Sequence, residues 1–208
     1  MSAVTSKAQI CNIALGQLGN RGSVENIDTP RKPQEIVFAK WYDLMREVAL
    51  KEQKPNFSIE RRVVAEDSSV IIPFGYSKAY EYPADCLHLL GIGDVEDKFN
   101  NHAVEGNVIY TVDDGTNTGL NIRFIKDITD VSQFSSEFVM VLATMLAEKA
   151  CYEVTEDDNK KQITKNNLRI EKASAASLSG QENRPIRINN SKFKASRTID
   201  NPQGAVKL

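Results

Sequence analysis

Cysteine and histidine are scarce in this chain, and their placement is uninformative for chemistry. Cys11, Cys86 and Cys151 stand far apart and none belongs to a CxxC. An odd, scattered set of this kind points away from a disulfide framework and from a zinc site. Each cysteine has apolar neighbours (ICNIAL, DCLHLL, EKACYE), as a small buried hydrophobe does. The two histidines, His88 and His102, form neither HxH nor HExxH, so metal-assisted hydrolysis lacks its ligands. Eleven glycines and seven prolines are too few for a low-complexity or collagen-like chain. The longest apolar stretch, Phe138 to Ala147, is interrupted by Thr144 and falls well short of the roughly 20 residues that cross a bilayer. No membrane partner is expected. The opening MSAVTSKAQI carries no apolar signal core, so synthesis and folding in a cytoplasm are expected.

Other catalytic patterns are also missing. There is no GxSxG and no P-loop. Gly91-Ile-Gly93 is a fragment of a dinucleotide fingerprint, but Asp94-Val-Glu-Asp97 behind it would repel a phosphate. Asp113-Asp114-Gly115 opens like a calcium loop without the later ligands, and reads better as a hairpin turn. Glu156, Asp157 and Asp158 read as helix N-terminal carboxylates, which the helix dipole favours. Arg61-Arg62 is too short for a nucleic-acid footprint. No catalytic, cofactor-binding or metal-binding residue is assigned, no cofactor is expected, and the chain reads as a non-enzyme.

What is present is a soluble, globular composition, with 41% hydrophobic and 26% charged residues over 208 positions. The net charge of −2 hides an asymmetry. Residues 181–208 hold six basic residues against Glu182 and Asp200, a net of +4, which leaves −6 on residues 1–180. An acidic body with a basic arm suggests an arm that docks on something acidic, the alternative being a solvated tail.

Helical periodicity marks both ends of the chain. Ser6 with Gln9 forms a capping-box pattern opening a helix from about Lys7 to Leu18, with Ile10, Ile13, Ala14 and Leu18 on one face. A second helix begins near Pro33 and runs to about Gln53, with a stripe of Val37, Trp41, Leu44 and Val48 flanked by Phe38, Met45 and Ala49. A third, capped by Ser135 or Ser136, spans Phe138 to Ala150 and is apolar nearly all round. Thr155-Glu156-Asp157-Asp158 is taken to cap a fourth, from about Glu156 to Leu178, with a thin line of Ile163, Leu168 and Ile170.

Residues 57–126 lose that period. Val63-Val64, Val70-Ile71-Ile72, Val108–Val112 and Leu120–Phe124 read as short strands, separated by turns that include Glu105-Gly106-Asn107. A short turn or helix is expected at Cys86 to Leu90. The expected fold is α+β: a mainly helical four-helix bundle with an inserted small antiparallel sheet and an extended C-terminal arm. The divisions are 1–56 for the first two helices, 57–130 for the β-rich insertion, 131–179 for the last two helices and 180–208 for the arm.

Five stretches in order carry a resemblance. They are Ile10-Cys-Asn-Ile-Ala-Leu-Gly-Gln-Leu-Gly19; Ala39-Lys-Trp-Tyr-Asp-Leu-Met-Arg46 with Pro55-Asn-Phe57; Tyr80-Glu-Tyr-Pro-Ala-Asp-Cys-Leu87; Phe124-Ile-Lys-Asp-Ile-Thr-Asp130 with Phe134 and Leu142–Ala147; and Thr155-Glu-Asp-Asp158. Together they resemble the tail tubular protein A family of podophage head-to-tail adaptors, which is itself similar to the tail accessory factors of other short-tailed phages. The match runs from roughly residue 5 to residue 175. It departs at Asn56, where relatives carry a tryptophan before the asparagine–phenylalanine pair, and the arm after Gly180 matches no family motif.

The resemblance implies a virion structural protein at the head-to-tail interface, made in the host bacterial cytoplasm. It implies self-association into a ring, dodecameric in the family, between the portal protein and the tail nozzle protein. Double-stranded DNA would pass through without sequence-specific binding, and an acidic lumen would not retain it through counterion release. On this reading the arm, through Ile186, Ile188 and Phe193 with Arg184 and Arg187, contacts portal or an adjacent subunit. Tyr110 and Phe124 are expected at a tail-side or inter-subunit contact. The alternatives are a head-completion or stopper protein, a cell-wall hydrolase acting as infection begins, and a nucleic-acid-binding module using the basic arm.

Overall fold

The structure, a computed structural model, describes residues 4–93, 102–112 and 119–182. Within them the chain forms α1 (Lys7–Gln17), α2 (Pro33–Gln53), β1 (Ile59–Val64), β2 (Lys78–Glu81), β3 (Cys86–Ile92), β4 (His102–Glu105), β5 (Val108–Thr111), β6 (Leu120–Lys126), α3 (Ser136–Thr155) and α4 (Asp158–Glu182).

The expected four-helix bundle with one small sheet is corrected. The described residues hold four α-helices and two three-stranded antiparallel sheets, ordered β1-β6-β3 and β2-β5-β4. The helices do not share one central seam. α3 is apolar on almost every side, so α1, α2 and α4 each lay one face on it. Cys86 to Leu90, expected as a turn or short helix, belongs instead to strand β3, which pairs with β6 and completes the first sheet, while β2, β5 and β4 form the second. Val70-Ile71-Ile72, expected as a strand, lies in the irregular segment between β1 and β2.

Local chemistry sets the helix ends. The Ser6–Gln9 capping box forms as its spacing predicts, with the Gln9 amide N–H donating to Ser6 Oγ at 3.3 Å. Ser135 caps α3 by accepting from Phe138 N at 3.3 Å. The α3–α4 junction falls later than expected. Thr155 ends α3 and donates to the Cys151 carbonyl, Glu156 takes φ 52, and Asp157 caps α4 by accepting from Asn159 N at 2.9 Å.

Two cores result. The helical core gathers Ile10, Phe38, Tyr42, Leu50, Phe134, Phe138 and Leu142 with their neighbours. Leu120, Ile122 and Phe124 of β6 point into a second core between the sheets, where Tyr80 and Ile109 come from the other sheet. Ile125, next along β6, turns into the helical core. One strand thus ties the two together, because successive strand side chains face opposite ways. On α2 the buried face is Phe38, Tyr42, Met45, Ala49 and Leu50, rotated from the expected stripe, and Leu44 is exposed.

Three polar groups anchor these contacts. Glu35 is buried and accepts from the backbone N–H groups of Arg31, Lys32 and Glu25 at 2.8, 3.0 and 3.0 Å. These bonds, Arg31's first, hold its carboxyl down at about 2. Arg46 is buried on α2, pairs with Asp127 just past β6 and donates to the Ile128 carbonyl at 3.0 Å. Arg62 forks onto Asp85 at 2.9 and 2.8 Å, pairs with Glu60 and covers the Phe124 ring at 5.0 Å. Asp85, singled out in the Tyr80–Leu87 stretch, is therefore a clamp between β1 and the start of β3.

Candidate interaction surfaces

The sequence-derived candidates separate into three groups. Phe124 is fully buried between the sheets, and Tyr110 is nearly so, stacked on Tyr76 with ring centroids 5.8 Å apart. Ile186, Ile188, Phe193, Arg184 and Arg187 lie outside the described residues, as do Asp94–Asp97 and Asp113–Gly115. The cysteines are all free and buried. Burial pushes the Cys11 thiol up to about 12 and also raises Cys86, which keeps both protonated at neutral pH. Among the described residues no group of three or more His, Cys, Asp or Glu side chains is gathered to hold a metal. No helix among them is long and apolar enough to cross a membrane.

Three surface features stand out instead. The first is the outward face of α4. The helix rests on α3 through Thr164, Leu168 and Ala175. Its opposite side runs Ile163, Asn166, Asn167, Ile170, Ser174 and Ser177, all exposed and none charged, although five Lys and Arg residues occupy other positions of the helix. Ile163 is 60% exposed and Ile170 66%. A solvated helix face ordinarily carries its charges outward; here they are displaced to the flanks.

The second is the tip of the segment between β1 and β2, where Ile71 and Phe74 are 91% and 98% exposed. Gly75 follows with φ 88, a left-handed turn that suits glycine. Ile71 belongs to Val70-Ile71-Ile72, which reads as a strand because its residues are β-branched, while Phe74-Gly75 reads as a turn and forms one.

The third is a cavity of about 500 Å³ where the C-terminal ends of α2 and α4 meet the start of α3. Its floor is Phe57, Phe134 and Phe138, mutually tilted or edge-on with centroids 4.9 to 5.8 Å apart. Gln53, Glu137, Leu178 and Gln181 stand around it. The Gln53 Oε1 is buried and accepts no hydrogen bond. Sequence reasoning missed this cavity because its walls come from three distant segments. Pro55-Asn-Phe57 and Phe134 had drawn notice as parts of the family resemblance, and Gln53, Ser135, Phe138 and Leu178 as helix caps or ends.

The chain matches no protein-family model, and no curated protein matches it.

Proposed function

We propose that this protein is a structural head-to-tail adaptor of a tailed bacteriophage, forming a ring between portal and tail nozzle through which the genome passes. The carrying observation is the outward face of α4. A charge-free strip with two exposed isoleucines, on a helix already packed through its other face, is what a neighbouring subunit would cover. Burying each isoleucine would contribute about 1.5–3 kcal/mol. A ring needs contacts between unlike patches, so that each copy both offers and receives. The five ordered sequence stretches that resemble the tail tubular protein A family support the same reading.

The burial of Phe124 and Tyr110 moves the proposed tail-side contact to the neighbouring Ile71–Phe74 tip. The exposed apolar groups of the β region there are free to meet the nozzle or a second copy. The acidic body suits a DNA conduit, since a basic lumen would hold the genome through counterion release.

Size-resolved light scattering of the purified protein, alone and mixed with its portal, tests the proposal. The expected result is a small free species that joins the portal as a stoichiometric ring. No association at any ionic strength would sink it.

A further inference from the structure

We propose that the cavity floored by Phe57, Phe134 and Phe138 is the receptor for the C-terminal segment of a neighbouring copy, which seats Ile186-Arg187-Ile188 in it. This rests on the ring reading above and names the contact that would link one copy to the next.

Four observations carry it. The cavity's volume of about 500 Å³ lies within the range, roughly 300–1,000 Å³, of pockets that bury a compact ligand. Phe57 in its floor is partly exposed and Leu178 on the rim half exposed, so aliphatic side chains gain by entering.

Charge agrees. Glu137 is the one charged residue among those lining the cavity. Residues 183–208 carry six basic residues against Asp200 alone, and Arg187 stands between the two isoleucines. Ile186 and Ile188 are also the first large apolar residues after α4.

The position of the helix end favours a neighbour as donor. Leu178 and Gln181, in the last turns of α4, form part of the wall, and α4 ends at Glu182. To fill its own cavity a chain would have to reverse within Asn183-Arg184-Pro185. A copy set alongside delivers the same residues without that reversal. Cavity and segment are different surfaces, so the contact is head-to-tail, as ring closure requires.

The test uses two full-length variants, Gln133→Cys at the exposed edge of the cavity and Ile188→Cys, mixed under mild oxidation over a concentration series. The native cysteines are buried and form no competing bridge. The expected product is a disulfide between unlike chains, identified by peptide mapping, with a yield that rises with concentration. Adding Leu178→Glu to the Gln133→Cys chain should lower the yield roughly tenfold, by removing apolar contact at a half-exposed site. A chain carrying both cysteines that bridges to itself at every dilution would overturn the proposal, since the segment then fills its own cavity. Absence of either bridge would overturn it as well. Portal association, measured separately, keeps the two ideas apart. Full-length protein that rings the portal without the bridge loses this contact and keeps the adaptor reading. Bridging without portal association loses the adaptor reading and leaves a self-association site.

Discussion

Replacing Asp127 with alanine strips the closest counter-ion from a buried guanidinium. Arg46 is 3% exposed, and what remains is the Ile128 carbonyl at 3.0 Å and the exposed Asp43 carboxylate at 3.6 Å. Breaking a buried ion pair from one side costs about 3–5 kcal/mol. Asp127 is itself 31% exposed, so water can reach the vacated position, and about 2–3 kcal/mol is expected. The reverse change is gentler. Arg46→Met keeps an unbranched apolar side chain in the core and leaves a carboxylate that can hydrate, for about 1 kcal/mol. The double variant should match Arg46→Met closely, because nothing remains for the second change to break. In urea, with a slope of about 2 kcal/mol/M, Asp127→Ala should lower the midpoint by about 1–1.5 M and Arg46→Met by about 0.5 M. If Asp127→Ala proved as mild as Arg46→Met, the buried cation would not depend on its partner and the reasoning would fail.

Glu35 gives a pH signature. Its folded-state carboxyl is lowered from 4.5 to about 2, so its contribution is fully present above about pH 4.5 and is lost as pH falls toward 2. Glu35→Gln should melt lower at neutral pH and show a flatter Tm profile across that window; parallel profiles would refute this. Gly119 has φ 92, and an added Cβ would lie 2.9 Å from both the Val64 carbonyl oxygen and Val63 Cγ1. Gly119→Ala should therefore cost about 2–3 kcal/mol by chemical denaturation, and a loss under about 0.5 would show that β1 and β6 can shift apart. Ile163→Glu with Ile170→Glu should leave stability within about 0.5 kcal/mol, since both are exposed, while abolishing ring formation on the portal in light scattering. Normal rings from that variant would remove α4 from the interface.

Much of the helical framework was legible because its signals are local. The Ser6–Gln9 box and Pro33 mark helix starts through backbone chemistry that needs no tertiary partner. The β region was less legible. Val70-Ile71-Ile72 has strand composition but pairs with no strand among the described residues, while Cys86–Ile92, broken by Gly91, is a strand with register shifts against β6. Strand composition describes a surface to be covered and does not say what covers it. The fourth helix starts two residues later than the capping pattern suggests because Thr155, which fits that pattern, spends its hydroxyl on the preceding helix. Buried Glu35 and Arg46 look like ordinary surface residues in sequence, since their partners lie in loops or at long range. The outward isoleucines of α4 were visible as a thin line, but that they face away from α3 was not.

The strands of the two sheets alternate along the chain: β1 belongs to one, β2 to the other, β3 to the first, β4 and β5 to the second, and β6 to the first. β1 meets its partner only when β6 arrives, across a separation of roughly 60 residues. At about 5–20 residues per second on the ribosome, β1 waits some 3–12 s with its ladder unpaired. The sheet β2-β5-β4 has all its strands by Thr111, whereas every ladder of β1-β6-β3 waits for β6, so the core shared by the two sheets closes late in synthesis. The folding rate should follow the closure of long loops more than the stability of any single hairpin.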